Sequence, residues 1–169
     1  AALTKKSATY FYGPKGEEKA LYGQTYLNNS VSRTTLYNYN DATGALETTK
    51  TFKDNTERID SAKPAESALD ELKQITYFTG SEGEESADWS QEYKDLKGAE
   101  KAKTTTIYSY KPDESMKSSV VYADTQIRTA KPDAAALAAL TTKSATYFSG
   151  AKGEEKALYG QTYLNNSVS

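Results

Sequence analysis

The chain of 169 residues contains no cysteine and no histidine. Disulfide bonds and thiolate metal sites are therefore excluded, and the side chain that most often acts as a general base is missing. No apolar run approaches the roughly 18 residues needed to span a bilayer. From these absences we expect a protein that is not an enzyme. We expect no catalytic residues, no cofactor, no metal and no membrane insertion of this segment.

The chain is also poor in hydrophobic residues and balanced in charge. Hydrophobic residues make up 37% of it and the mean hydropathy is −0.77, which favours a thin apolar layer over a thick globular core. The 21 basic and 23 acidic residues are interspersed, so no basic stripe indicates a nucleic-acid partner. Disorder is the alternative for so polar a chain, but 14 tyrosines at regular positions argue against it.

What the chain does contain is an internal repeat. Residues 1–32 recur as residues 138–169 with differences only at Lys5/Thr142, Tyr12/Ser149 and Pro14/Ala151. Fainter copies lie at an offset of 67 residues, where Gln24 matches Gln91, and of 71 residues, where Tyr37 matches Tyr108. The 137-residue unit therefore consists of two diverged half-units. We expect the chain to be a segment of a longer tandem array.

Two parts of each half-unit alternate with a period of two residues, as β-strands do. In the first part, Tyr10 and Tyr12 are two residues apart and so share one face of a strand. Residues 14–16 then carry proline and glycine suited to a turn, and Tyr22 and Tyr26 again share one face of the strand that follows. The second part repeats this pattern around the turn at residues 40–44 and, in the other half-unit, around residues 111–114. Each half-unit is thus predicted to form two β-hairpins.

The third part is rich in alanine and predicts a short helix at residues 64–73 and at residues 132–140. Each segment begins with proline, which suits the first helical turn. Leu69 and Leu72 are three residues apart, as are Leu137 and Leu140, so each pair is expected to share one helix face. A helix of two to three turns is unstable alone, so we expect these leucines to dock it onto the hairpins.

The predicted fold class is mainly β with short helices. It is an elongated tandem array of antiparallel β-hairpins, with two hairpins and one short helix in each half-unit of about 68 residues. The predicted domain plan assigns residues 1–9 to the end of a preceding repeat, 10–76 to half-unit A, 77–146 to half-unit B and 147–169 to the first hairpin of the next unit.

The tyrosine rows have two interpretations. They are packing ladders in which equivalent rings of successive units stack, or they are an aromatic platform for a sugar or an extended peptide. We expect packing, and we expect Trp89 to lie in the core because it replaces a tyrosine of the row. The alternative binding face consists of the following residues: Tyr10, Tyr22, Tyr26, Tyr37, Tyr39, Trp89, Tyr108 and Tyr110.

Acidic pairs follow a turn glycine in three hairpins, at residues 17–18, 84–85 and 154–155. A recurring acidic pair beside a turn is most simply a solvated hairpin end. A weak calcium contact is the alternative, because carboxylate oxygens suit that cation. The dense aspartate spacing of known calcium loops is missing, so we expect a solvated end.

Residues 37–46 read Tyr-Asn-Tyr-Asn-Asp-Ala-Thr-Gly-Ala-Leu. This stretch resembles the tyrosine–aspartate (YD) repeats of Rhs-type bacterial proteins, which run Tyr-x-Tyr-Asp, a short turn, Gly and then Leu. Asn40 stands at the family's aspartate and Ala45 at its usual arginine. The resemblance implies a strip of β-hairpins in a large bacterial surface or secreted protein, and it transfers no active site.

These observations lead to one functional expectation and one alternative. The chain is expected to be a structural segment of a long, exported bacterial protein, acting as a spacer, a stalk or a surface-layer component at the cell surface. Its expected partners are neighbouring repeats of the same chain. In the alternative it is a binding module whose repeated tyrosine faces engage a glycan, an extended peptide or another surface protein.

Overall fold

A computed structural model describes residues 4–59, 62–164 and 166–168. In these ranges the chain forms one open sheet of eleven strands, which lie in the order in which they occur in the chain and pair antiparallel throughout. The predicted fold class, mainly β with short helices in an array of antiparallel hairpins, is confirmed. The strands are β1 (Ser7–Tyr12), β2 (Lys19–Leu27), β3 (Ser30–Tyr39), β4 (Leu46–Lys53), β5 (Leu72–Thr79), β6 (Ser86–Lys94), β7 (Lys101–Tyr110), β8 (Met116–Ala123), β9 (Thr141–Ser149), β10 (Lys156–Leu164) and β11 (Ser167–Val168).

All predicted hairpins form, and their turns lie side by side at the same end of the strands. We call residues 13–18, 80–85 and 150–155 the long tips, and residues 40–45 and 111–115 the short tips. Each long tip begins with a glycine at positive φ, such as Gly13 at 110°. A Cβ atom at Gly13 would lie 2.8 Å from the carbonyl oxygen of Glu17, so this turn requires glycine for space as well as for dihedral angle.

The predicted helices are much shorter than expected. In place of a helix over 64–73, the chain has a 3-10 turn at Glu66–Ala68, and Leu72 already belongs to β5. Leu69 is buried as expected, but in an extended conformation rather than on a helix face. The helix predicted at 132–140 is confined to α1 (Ala134–Ala138). Segments this short gain little from helical hydrogen bonds, whereas Leu72 gains a strand partner in Phe52.

The core lies between the sheet and the connection that joins β4 to β5. The described residues of this connection, 54–59 and 62–71, lie over one face of the sheet, which we call the covered face. Leu69 of the connection packs there against Tyr22, Leu36 and Phe52, and all four are buried. A thin layer of this kind is what a low hydrophobic content allows.

The half-units are joined by ordinary strand pairing. β4 pairs with β5, and at the equivalent place in the next half-unit β8 pairs with β9. The predicted boundaries at 76/77 and 146/147 lie inside β5 and β9. The sheet therefore continues without interruption from one half-unit into the next.

Candidate functional site

The eight aromatic residues of the predicted binding face do not share a face. Tyr10 pairs with Tyr22, and Tyr22 pairs with Leu36, so these three side chains lie on the covered face. Tyr37 follows Leu36 directly, and Tyr39 lies two residues further on, so both lie on the opposite face, which we call the open face. The same reasoning places Trp89 on the covered face, and Tyr108 and Tyr110 on the open face.

The aromatic residues of the covered face serve packing. Tyr22, Tyr26 and Trp89 are buried, so they offer no ring to a ligand, and the prediction that Trp89 lies in the core is confirmed. Rings stack as cross-strand pairs within each of the three hairpins that carry a long tip. Trp89 lies parallel to Tyr77 with ring centroids 4.1 Å apart, and Tyr10 stacks on Tyr22 at 4.6 Å.

Stacking was expected between equivalent rings of successive units, and that expectation is wrong. Equivalent hairpins are separated by the two strands of the intervening hairpin, about 20 Å at the usual strand spacing. The stacked rings are those on paired strands, such as Tyr147 and Tyr159 of the β9–β10 hairpin at 4.7 Å. Tyr12 of β1 and Tyr39 of β3, within the first half-unit, meet edge to face at 6.5 Å.

The tyrosines of the open face are half-buried, and their hydroxyl groups have neighbours on the adjacent strand. Tyr110 Oη donates to the carbonyl of Ala87 over 2.7 Å, and burial raises the pKa of the Tyr110 phenol. Tyr108 Oη lies 3.3 Å from Ser90 Oγ. These side chains therefore lean across the neighbouring strand, which leaves part of each ring exposed to solvent.

A cluster of polar residues holds the connection against the covered face, and sequence reasoning missed it. Three of its members, Gln24, Thr34 and Asp54, are buried. We call Gln24, Thr34, Asp54, Thr56 and Arg58 the first polar cluster. The Gln24 amide donates to Thr34 Oγ1 over 3.0 Å and to the carbonyl of Thr56 over 2.9 Å. The backbone N–H of Arg58 donates to Gln24 Oε1 over 3.0 Å. Asp54 accepts from Thr34 Oγ1 over 2.6 Å and also from the Arg58 guanidinium.

The second half-unit repeats the bonds that the glutamine and the aspartate make in this cluster. We call Gln91, Thr105, Asp124, Gln126 and Arg128 the second polar cluster. Gln91 donates to Thr105 Oγ1 over 3.0 Å and to the carbonyl of Gln126 over 2.8 Å, and accepts from the backbone N–H of Arg128 over 3.0 Å. Burial raises the pKa of Asp124, but hydrogen bonds from Arg128, Thr105 and the Gln126 backbone outweigh it and lower that pKa below its usual value.

The sequence does contain a signal for these clusters. Asp54 and Arg58 recur 70 residues later as Asp124 and Arg128, with the same spacing of four. A single Asp-x-x-x-Arg in a polar stretch indicates nothing. Its recurrence in both half-units, each of which also repeats the glutamine at Gln24 and Gln91, predicts a structural role. No buried side-chain nitrogen or oxygen lacks a partner in the part of the chain that the structure describes.

The acidic pairs at the long tips are partly structural rather than wholly solvated. Glu85 Oε2 accepts from the backbone N–H of Gly83 within its own tip, and Glu85 Oε1 accepts from the N–H of Leu46 in the neighbouring hairpin over 2.8 Å. Burial raises the pKa of Glu85, but these backbone donors outweigh it and lower the pKa. Glu155 makes the same contact to Met116 over 3.0 Å. Among the described residues no three carboxylates are grouped to hold a metal ion.

The sheet thus has a covered face with buried side chains and an open face with partly exposed tyrosines. At one end of its strands it has a row of hairpin tips that contact one another. Within the described ranges no helix is long and apolar enough to cross a membrane. Comparisons with protein families, with curated proteins and with solved structures find no match to this chain.

Proposed function

We propose that this chain is a structural segment of a tandem-repeat array, in which each repeat extends one continuous sheet. One observation carries the proposal: β9 joins β8 in the next half-unit as β5 joins β4 in the first. A junction that is used twice in the same way can be used again, because the added hairpin presents the same edge as the one before it. Stability in such an array is close to a sum of nearest-neighbour contacts.

Contacts between hairpin tips support the same proposal. The carboxylate of Glu85 holds the backbone of Leu46, and that of Glu155 holds the backbone of Met116, across corresponding junctions. Lys19 Nζ donates to the carbonyl of Gly44 over 2.7 Å and lies 2.5 Å from Glu82 Oε1. The short tip at 40–45 therefore contacts the hairpin before it and, through Lys19, is linked to the hairpin after it. The short tip at 111–115 contacts the long tip after it through the ion pair of Glu114 with Lys152 at 2.5 Å. These contacts resist separation of neighbouring hairpins.

Because the array is built by pairing strands, each unit would lengthen it in a regular way. We therefore propose a role as a spacer, a stalk or a surface-layer component, with neighbouring repeats as the partners and without catalysis. The resemblance of residues 37–46 to the YD repeats supports placing the parent protein at a bacterial cell surface or among exported proteins. That placement is part of the proposal.

Small-angle scattering on proteins with one, two and three 137-residue units tests the array. Eight strands precede β9, and eight strands spaced about 4.8 Å apart add about 38 Å to the sheet. We expect the maximum particle dimension to grow by a constant increment of this order. A compact particle with a radius of gyration near the roughly 15 Å of a 169-residue globule would contradict the proposal.

The open face supports a second candidate, a binding module for a glycan or an extended peptide. Tyr37, Tyr39, Tyr108 and Tyr110 recur on that face and each remains partly exposed. No connection covers these rings in the part of the chain that the structure describes. The structural role remains the first proposal, because these rings already contact neighbouring strands.

A further inference from the structure

We propose that the free edge of β1 binds an extended segment with the sequence of β8, supplied by another repeat, as an added antiparallel strand. The inference rests on the proposed function, because it identifies the partner with which the sheet would continue. It assigns this partner to a particular strand edge and a particular register.

The chain itself contains the occupied form of this edge. β9 is the copy of β1, and it pairs with β8 so that Ser119 lies opposite Thr146 and Val120 lies opposite Ala145. The β9 residues at the centre of this pairing, 144–147, recur unchanged in β1 as residues 7–10. The positions at which the two copies differ lie outside this stretch. The edge that β9 presents to β8 is therefore chemically the same as the edge that β1 presents to solvent.

The hydrogen-bonding groups of the β1 edge are directed outward. The N–H of Tyr26 donates to the carbonyl of Lys6 over 2.9 Å, so Lys6 and the alternate residue Ala8 direct their backbone groups at β2. Ser7 and Thr9 then direct theirs away from the sheet. Among the described residues no strand pairs with β1 on that side. An unpaired edge of this kind is the usual template for strand addition.

Burial shows what the added strand would cover. Ala145 is 2% exposed beneath its neighbours, whereas its copy Ala8 is only half-buried. Glu155 is half-buried and accepts from the Met116 N–H, whereas its copy Glu18 is exposed. Ala8 and Glu18 are thus more exposed than their copies Ala145 and Glu155, as expected if β1 lacks the neighbouring strand that β9 has.

The long tip beside β1 is already arranged for the same contact. Glu18 Oε2 accepts from the N–H of Gly16 over 2.8 Å, just as Glu155 Oε2 accepts from the N–H of Gly153 over 2.9 Å. The carboxylate of Glu18 is therefore held in the orientation in which Glu155 receives Met116. A segment that begins at Met116 would supply the strand and the donor for this tip together.

Disulfide trapping tests both the partner and the register. The probe is a synthetic peptide of residues 114–124 that carries Val120→Cys, added to the full chain that carries Ala8→Cys. A buffer of oxidised and reduced glutathione supplies the oxidant. The native sequence has no cysteine, so the only disulfide between peptide and chain is the one that joins these two positions, and its mass separates it from peptide–peptide and chain–chain products. Val120 and Ala145 are a non-hydrogen-bonded pair with an expected Cα separation of about 4.5 Å, which a disulfide can bridge.

The matched control is the same peptide with Val121→Cys instead, because its thiol lies on the opposite face of the added strand. We expect at least tenfold more cross-linked product with the cysteine at 120 than at 121. Equal trapping of the two peptides, or no trapping of either, would overturn the proposal.

A second variant blocks the edge itself. Thr9→Pro in the Ala8→Cys chain removes an outward N–H but none of the bonds to β2, and proline is tolerated at such positions of edge strands. We expect Thr9→Pro to reduce trapping at least tenfold and Thr9→Ala to leave it within about twofold. Undiminished trapping by a folded Thr9→Pro chain, judged by circular dichroism, would refute the assignment. If that variant does not fold, the comparison of the two peptides still decides.

Failure of the strand-binding proposal is distinguishable from failure of the proposed function. If trapping fails while scattering shows a constant increment per unit, the array stands and the β1 edge is not a strand-binding site. If trapping succeeds while the increment is not constant, the edge binds a β8 segment but the protein is not a regular array.

Discussion

The side-chain amide of Gln24 donates to Thr34 Oγ1 over 3.0 Å, and both residues are at most 1% exposed. The same glutamine also bonds the backbone of Thr56 and Arg58, so one side chain joins two strands of the sheet to the connection above them. Hydrogen bonds of this kind are directional and lie in a region of low dielectric constant. They therefore fix the position of the connection on the sheet. The small apolar layer beneath the connection stabilises it but is less specific about its position.

Replacing Gln24 should destabilise the first half-unit. Gln24→Leu removes the hydrogen bonds to the Thr56 carbonyl and the Arg58 N–H, which are partly buried. Each lost hydrogen bond costs about 0.5–1.5 kcal/mol, so the two together cost about 1–3 kcal/mol. We expect a loss of this order in the free energy of unfolding measured in urea. Gln161→Leu is the matched control, because Gln161 is the copy of Gln24 in the β9–β10 hairpin. There it is half-buried and accepts from Tyr163 Oη over 3.3 Å. A change as large in the control would show that the effect does not come from the connection.

The second polar cluster should make stability depend on pH. The pKa of Asp124 is lower in the folded chain than the roughly 3.9 of an unfolded aspartate, so its contribution is fully present above that value. It is lost as the pH falls from about 4 through the folded pKa. We expect the free energy of unfolding to drop over this range and Asp124→Asn to reduce the drop. Asp41→Asn, at an exposed turn, is the control, and an equal reduction in that variant would contradict the assignment.

The two repeated leucines should differ in their contribution to stability. Leu69→Ala removes a side chain that is 1% exposed in the core with Tyr22 and Phe52, so a loss of about 2–5 kcal/mol is expected in urea unfolding. Leu137→Ala should cost less, because Leu137 is half-buried on a helix with no buried residues. Equal losses for the two variants would show that the connections pack alike in solution.

Much of the sheet could be predicted from the sequence because its strands alternate over most of their length. Tyr22, Gln24 and Tyr26 stand two residues apart, and all three are buried on one face as that period requires. Gly13 and Gly16 likewise mark a turn that only residues tolerant of positive φ can form. Local chemistry was sufficient for these elements.

The division of the tyrosines between two faces could not be predicted in this way. Which side Tyr37 takes depends on the register of β3 against β2, and a shift of one residue moves a side chain to the other face. The extended conformation of Leu69, where a helix was predicted, was missed for a related reason. Alanine-rich segments favour a helix locally, but the bonds from Gln24 and the burial of Leu69 are contacts with residues far away in the chain.

The open face provides the experiment that separates a scaffold from a binding module. If Tyr37 and Tyr39 serve packing, changing both to serine should lower the free energy of unfolding by about 1–3 kcal/mol, with no ligand needed to observe the loss. We expect this result, because a Cβ atom at Gly23 would lie 3.7 Å from Tyr37 Oη, so the ring already covers the neighbouring strand.

The control for this pair is Leu27→Ser, because Leu27 is an apolar side chain near the end of β2 that is 67% exposed. We expect that variant to change stability by less than about 0.5 kcal/mol. A glycan array tests the alternative that the open face binds a ligand. If the chain retains a polysaccharide that the Tyr37→Ser, Tyr39→Ser variant no longer binds, at an unchanged melting temperature, the open face is a recognition surface and the array is its support.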